Sequence, residues 1–365
     1  MTYSMEKLLN LVIKENASDL HLVADKEPVV RLHGQLLSAG KAKLTAEDTL
    51  KMFKEIAPEK KHNDLEEHGG SEFSYAYEDK ARFRVSAYLD RGKPAVAIRL
   101  IPTKILSLEE IGLPATFNNV LEKPRGLILV TGPTGCGKTT TLASMIDYIN
   151  GKFGHHIITI EDPIEYYHFH RESIINQRQV GEDVGSFAEA IVKSLRQDPD
   201  VILVGEMRDR DTIAAAVSAA ETGHLVFGTL HTIGASTTIS RIIDAFPPDQ
   251  QDQIRVQLSV SLISVVTQQL LPNKDNSGRH AAFEILVCNN AVKHLIRENK
   301  TFRIDSIIET GKSLGMVTLD DSIYELYVQG KIGEQTALAK AQDREGMSKK
   351  IFGGGGSQKG SFSYR

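Results

Sequence analysis

A chain of 365 residues with 41% hydrophobic and 25% charged residues has the length of about two domains and enough apolar material for sizeable cores. Its net charge of −4 offers no electrostatic footprint for nucleic acid. Two cysteines, Cys136 and Cys288, exclude a disulfide framework or zinc cluster within one chain.

In chain order, Met5, Leu8, Leu9, Val12 and Ile13 form the apolar face of a first helix. Ser18 to Leu22, Val29 to Leu32 and Phe83 to Tyr88 alternate as strands, and Gly34 and Gly92 mark turns. Thr45 with Asp48 reads as the cap of a second helix running to about Ile56. These elements predict a smaller α+β domain over 1–100. A stretch without clear periodicity, 101–115, reads as a linker.

From about Thr116 the pattern becomes strand and helix in alternation. Leu127 to Val130 is a compact apolar run, followed by Gly132-Pro133-Thr134-Gly135-Cys136-Gly137-Lys138-Thr139-Thr140. That is the G-x-x-x-x-G-K-[ST] phosphate-binding loop. Leu142, Met145, Ile146 and Ile149 then give the stripe of a helix packed on a sheet. Strand, glycine loop and helix N-terminus together aim backbone N–H groups and a positive dipole end at phosphate. Lys138 would reach the β- and γ-phosphates of ATP, and the Thr139 hydroxyl would ligate Mg²⁺.

Further apolar runs follow at Ile157 to Ile160, Val201 to Val204, Leu225 to Thr229 and Ala281 to Val287. Ser186 with Glu189 opens one helix, and Ile213 to Ala220 is another. Ile254, Leu258, Leu262 and Val265 predict a long helix. The alternation implies an α/β domain over 116–350, with a parallel sheet covered on both faces and helices from about Ala291. The glycine-rich end, 351–365, reads as a flexible tail. No run approaches the roughly 18 apolar residues of a membrane span and no signal-peptide pattern opens the chain, which fits a cytoplasmic protein.

Open parallel sheets bind ligands at the carboxyl ends of their strands. There the chain places Glu161-Asp162-Pro163-Ile164-Glu165, then Gly205-Glu206 with Arg208 and Asp209, then His231. One carboxylate can hold Mg²⁺ through its waters and another can take a proton from the attacking water. The bland alternatives are helix caps, an ion pair of Glu206 with Arg208, and a merely packed His231. Arg82, Arg84 and Arg99, near the end of the first domain, are candidates to stabilise transferring phosphoryl charge from a neighbouring copy, or plain solvent-facing strand residues.

These residues together resemble the secretion-type motor ATPases, and within them the type IV pilus retraction ATPases. Gly132 to Thr140 is similar to the family's Walker A loop, Glu161 to Glu165 to its Asp box, Leu195 to Asp209 to its atypical Walker B, and Gly223 to Thr232 to its His box. The resemblance implies a PAS-like first domain, a RecA-like motor domain and a homohexameric ring. It implies Glu165 as general base, Glu206 as the Mg²⁺-associated carboxylate and His231 as nucleotide sensor. It also implies a membrane platform protein of the pilus machinery as partner. Ala291 to Glu298 matches the retraction motif AIRNLIRE at five of eight positions. The alternatives are an accessory retraction ATPase, an assembly ATPase for pilus extension or type II secretion, a non-catalytic regulator and a nucleic-acid translocase. Assembly ATPases usually carry a tetracysteine zinc motif and a further N-terminal domain, which this chain lacks. A translocase would want a basic, aromatic-studded channel, and no such cluster is visible.

Overall fold

The computed structural model describes residues 3–32, 34–78, 80–101, 104–275 and 278–353. It divides into two compact units, Met1–Lys104 with Pro163–Tyr167, and Ile105–Asp162 with His168–Arg365.

The first unit holds α1 (Met5–Glu15), β1 (Asp19–Leu22), β2 (Val29–Leu32), β3 (Gln35–Ser38), α2 (Ala46–Ile56), α3 (Glu59–His68), β4 (Gly70–Tyr77), β5 (Ala81–Asp90) and β6 (Lys93–Ile101). Its six strands form an antiparallel sheet in the order β3-β2-β1-β6-β5-β4. This is the PAS-like α+β fold. Alternation puts Leu20, Leu22, Phe83, Val85 and Ile98 on one face, where Met5, Leu8, Leu9, Met52 and Phe53 of the helices cover them. Thr45 and Asp48 close a full capping box on α2. The β5–β6 turn needs positive φ at both central residues, and Arg91 (+52°) with Gly92 (+76°) supplies it.

Of the stretch that the sequence offers as a linker, Pro102 and Thr103 lie outside the described residues. From Ile105 the chain belongs to the second unit, where Leu113 is buried and Leu108 and Ile111 pack on its core.

The second unit contains α4 (Asn118–Leu121), β7 (Gly126–Thr131), α5 (Lys138–Lys152), β8 (His156–Glu161), β9 (Ile174–Gln179), α6 (Phe187–Ser194), β10 (Val201–Val204), α7 (Arg210–Glu221) and β11 (Leu225–Leu230). It continues with α8 (Ala235–Asp244), α9 (Pro248–Ser261), β12 (Leu262–Pro272), β13 (Arg279–Val287), α10 (Asn290–Arg297), α11 (Ile304–Thr310), α12 (Leu319–Val328), α13 (Glu334–Lys340) and α14 (Arg344–Phe352). The sheet order is β13-β12-β7-β11-β10-β8-β9. Helices on both faces enclose two apolar cores, and α12 to α14 pack a third against Leu271 and Ala282. This is a RecA-like α/β motor fold.

Two expectations need correction. The sheet is mixed rather than parallel, because β13 runs antiparallel to β12 while the other neighbours are parallel. The long helix stops at Ser261, and Leu262 and Val265 belong to strand β12. The helical spacing persists across that point, but Val265, Val266 and Thr267 are β-branched and pair with both β7 and β13. The predicted tail from Gly354 onward lies outside the described residues.

Candidate nucleotide site

β7 is buried throughout and ends at Thr131, whose hydroxyl meets that of Thr267 at 2.9 Å. The glycine loop then turns into α5. Gly132 has φ +140°, and a Cβ there would lie 2.4 Å from the Gln268 carbonyl oxygen. Gly137 is the helix's N-cap at φ +91°, and no side chain caps α5. The positive end of the helix thus opens onto a loop whose Pro133, Thr134 and Gly135 face solvent, the setting in which a helix N-terminus binds an anion. Lys138 donates to the Gly132 and Pro133 carbonyls at 2.8 and 3.1 Å, which folds its charge over the loop. Cys136 is buried, and burial pushes its thiol above the usual range, so it packs as a small apolar residue.

The neighbouring strand ends deliver the polar residues in sheet order. Beside β7, β11 leads into His231, whose Nδ1 lies 3.5 Å from the Thr134 hydroxyl. Burial, then Lys138 and Arg208, lower the His231 pKa against the pull of Glu206. The ring is thus neutral near pH 7, able to donate from one nitrogen and accept at the other.

Next, β10 leads to Glu206, which is mostly shielded and pairs with Arg208 at 2.8 Å. The bland pairing foreseen for Glu206 is present, yet its field still reaches His231. Met207 donates its amide to the Thr229 carbonyl, which anchors this turn to β11. Asp209 caps α7 through Thr212. Beyond it, β8 ends in the buried Glu161, whose Oε1 accepts from Thr159 and from Gln177 at 2.7 and 3.2 Å.

P-loop, His231, Glu206 and Glu161 are therefore carried by one unit. Glu165 is not. It is half-buried on Pro163–Tyr167, which belongs to the first unit, where the Arg82 guanidinium lies 3.5 Å over the Tyr167 ring.

Arg84 and Arg99 are also in the first unit. They stand directly opposite each other on β5 and β6, with Asp19 and then Arg31 next along the same row. Arg99 donates to Asp19 at 2.8 Å, Arg31 approaches the same carboxylate at 3.7 Å, and Arg84 pairs with Glu72 at 3.3 Å. Burial works to raise the Asp19 carboxyl, but the Arg99 and Ser18 hydrogen bonds prevail and hold it below its usual value. Each of the two opposed guanidinium groups therefore has a carboxylate partner, Asp19 for Arg99 and Glu72 for Arg84. The Arg99 side chain is 67% exposed.

Sequence reasoning missed two glutamines that shape the site. Gln268 on β12 is buried, and its Oε1 accepts from Thr141 of α5 at 2.6 Å, which braces the glycine loop from behind. Gln177 on the edge strand β9 bonds Glu161 and also accepts the His168 amide at 2.8 Å. It thereby joins the two feet of the excursion that carries Glu165. A buried polar side chain inside an apolar strand was the available signal for Gln268. Further along, α10 buries Val292 and Ile296 and turns His294 and Arg297 outward.

Among known proteins, this chain is 45% identical over 348 residues to a "Twitching motility protein" of Neisseria gonorrhoeae, covering 95% of this chain and 93% of that one. It is 46% identical over 336 residues to the "Type IV pilus retractation ATPase PilT" of Pseudomonas aeruginosa, covering 92% and 97%. A crystal structure of the pilus retraction motor PilT with bound ADP superposes with a TM-score of 0.89 at 45% identity, covering 95% of this chain and 99% of that one. The family model for the type II/IV secretion system protein matches residues 2–336, and the chain belongs to that family.

Proposed function

We infer that this protein is the ATP-hydrolysing motor that drives type IV pilus retraction. The observation that carries the reading is the glycine loop with Lys138, set beside His231 and Glu206 at consecutive strand ends, in a chain alike along nearly its whole length to retraction ATPases. The residues fit a nucleotide, since Gly132, where a Cβ would strike the Gln268 carbonyl, lets the loop turn closely past β12 into α5, whose N-cap Gly137 sets no side chain over the helix end. Among the described residues no group of three or more His, Cys, Asp or Glu could hold a metal ion by itself. Thr139 and Glu206 would therefore hold Mg²⁺ together with phosphate and water, and the cation would offset charge on the transferring group. Glu165 is the general base, taking a proton from the attacking water. His231, kept neutral, senses the γ-phosphate.

The working form is a homohexamer at the cytoplasmic face of the inner membrane, acting on the pilus machinery through its platform protein. No helix among the described residues is long and apolar enough to cross a membrane. Purified protein should hydrolyse ATP only with Mg²⁺, at a rate that single-stranded DNA leaves unchanged. Stimulation by DNA would favour a translocase instead.

Arg84 and Arg99 act in trans, the first unit of one copy serving the nucleotide of the next. The placement of both side chains in one row of β5 and β6, with Arg99 largely exposed, supports this, because an exposed guanidinium can give a γ-phosphate charge-assisted hydrogen bonds. Arg99→Ala and Lys138→Ala proteins should each be inactive, and mixing them after confirmed subunit exchange should restore part of the activity. Wild-type specific activity that stays constant down to demonstrated monomer would reject trans action.

A further inference from the structure

The second unit holds a carboxylate to which the proposed chemistry gives no part. Glu284 lies on β13 and is 6% exposed. Its Oε1 accepts the Ala235 amide at 2.7 Å, the first N–H of α8. The helix has no side-chain cap of its own, because its N-cap is Gly234 at φ +91°. His231 lies four residues before Ala235. Between them the loop folds onto the first turn of α8: the Thr232 and Thr238 hydroxyls meet at 2.7 Å, and Thr238 donates to the Gly234 carbonyl at 2.7 Å. Where α8 begins therefore sets where His231 stands.

Glu284 also shares a rung of the sheet with the phosphate loop. Its register partner on β12 is Thr267, and the partner of Thr267 on β7 is Thr131, the residue before Gly132. Residues in register project from the same face of a sheet. The Thr131–Thr267 hydroxyl contact and the Glu284–Ala235 bond thus run in line from the strand that carries the phosphate loop to the helix that the histidine's loop enters.

We propose that Glu284 is a positioning residue for nucleotide sensing, fixing the first turn of α8, and with it His231, at a set distance from the phosphate loop. The proposal rests on the reading of His231 as sensor. A buried carboxylate is a costly way to satisfy one amide, and an apolar residue of similar volume is often as stable or more so. Burial pushes the Glu284 carboxyl up, the Ala235 bond opposes that, and Asp305 and Asp320 add to the rise. Asp305 bonds Ser236 and so holds the same turn from α11.

The test compares Glu284→Met, which keeps the volume and loses the acceptor, with Glu284→Gln, which keeps an acceptor oxygen. The kcat for ATP should fall about tenfold in Glu284→Met, the scale of a displaced catalytic group, with KM and melting temperature little changed. Glu284→Gln should retain most of the wild-type kcat. In a His231→Ala background Glu284→Met should cost less than about twofold, because the group it positions is gone. Wild-type turnover in Glu284→Met overturns the proposal. So does a loss that multiplies independently with His231→Ala, or an equal loss in Glu284→Gln. Wild-type turnover in His231→Ala alone would instead remove the sensor reading. Should Glu284→Met fail to fold, Ala235→Pro removes the amide donor at a helix position that accepts proline and carries the same comparison.

Discussion

Lys138→Ala should bring ATP hydrolysis to background while leaving the fold intact. The ammonium is folded over the loop by the Gly132 and Pro133 carbonyls, so its charge is already directed at the loop's interior. Alanine removes the one side-chain cation of the glycine loop, and with it the point charge on the β- and γ-phosphates. A hydrogen bond to a charged group contributes about 1.5–3 kcal/mol, so nucleotide affinity should fall about 10- to 100-fold. Turnover should fall further, because charge builds on the γ-phosphoryl oxygens as the bond breaks. Hydrolysis rates with fluorescent-nucleotide titration separate the two effects, and circular dichroism checks the fold. Near-normal turnover would sink the P-loop assignment.

Glu165→Gln should keep nucleotide bound and stop its hydrolysis. The amide has nearly the shape of the acid but cannot accept the water's proton, and removal of a general base costs about 10²–10⁴-fold in rate. Glu161 is the rival carboxylate, since it ends β8 in the same unit as the loop. Its Oε1, however, is already engaged by Thr159 and Gln177 in a buried position, which marks it as a support. Glu165 is half-buried. Single-turnover rates of both glutamine variants decide. Loss in Glu161→Gln with normal hydrolysis in Glu165→Gln would exchange their roles.

The parts of this fold that were legible in the sequence are those whose signal is local. The strand, glycine loop and helix from Leu127 to Ile149 combine an apolar run, a motif and a 3.6-residue period, and all three are found at those residues. The Thr45 capping box is equally local. Where signals are weak or non-local the reading fails. The helix α3 buries only Leu65 and offers no stripe, and the edge strand β9 exposes Ile174 and carries polar residues. At β12 the helical spacing was real, but pairing with β7 and β13 overrode it. The site followed the same division. Strand-end residues could be found by topology alone, whereas the facing of Arg84 and Arg99, the brace by Gln268 and the rung from Thr131 to Glu284 depend on strand register. That register joins residues far apart in the chain.

The most direct measurement follows labelled pili on single cells whose only retraction ATPase is this protein. The account predicts that pili extend and then shorten with the wild-type chain, and extend without shortening when Lys138→Ala replaces it. Cells with the wild-type chain that never retract, although the protein is expressed and hydrolyses ATP, would contradict the account. So would pili that retract normally with Lys138→Ala.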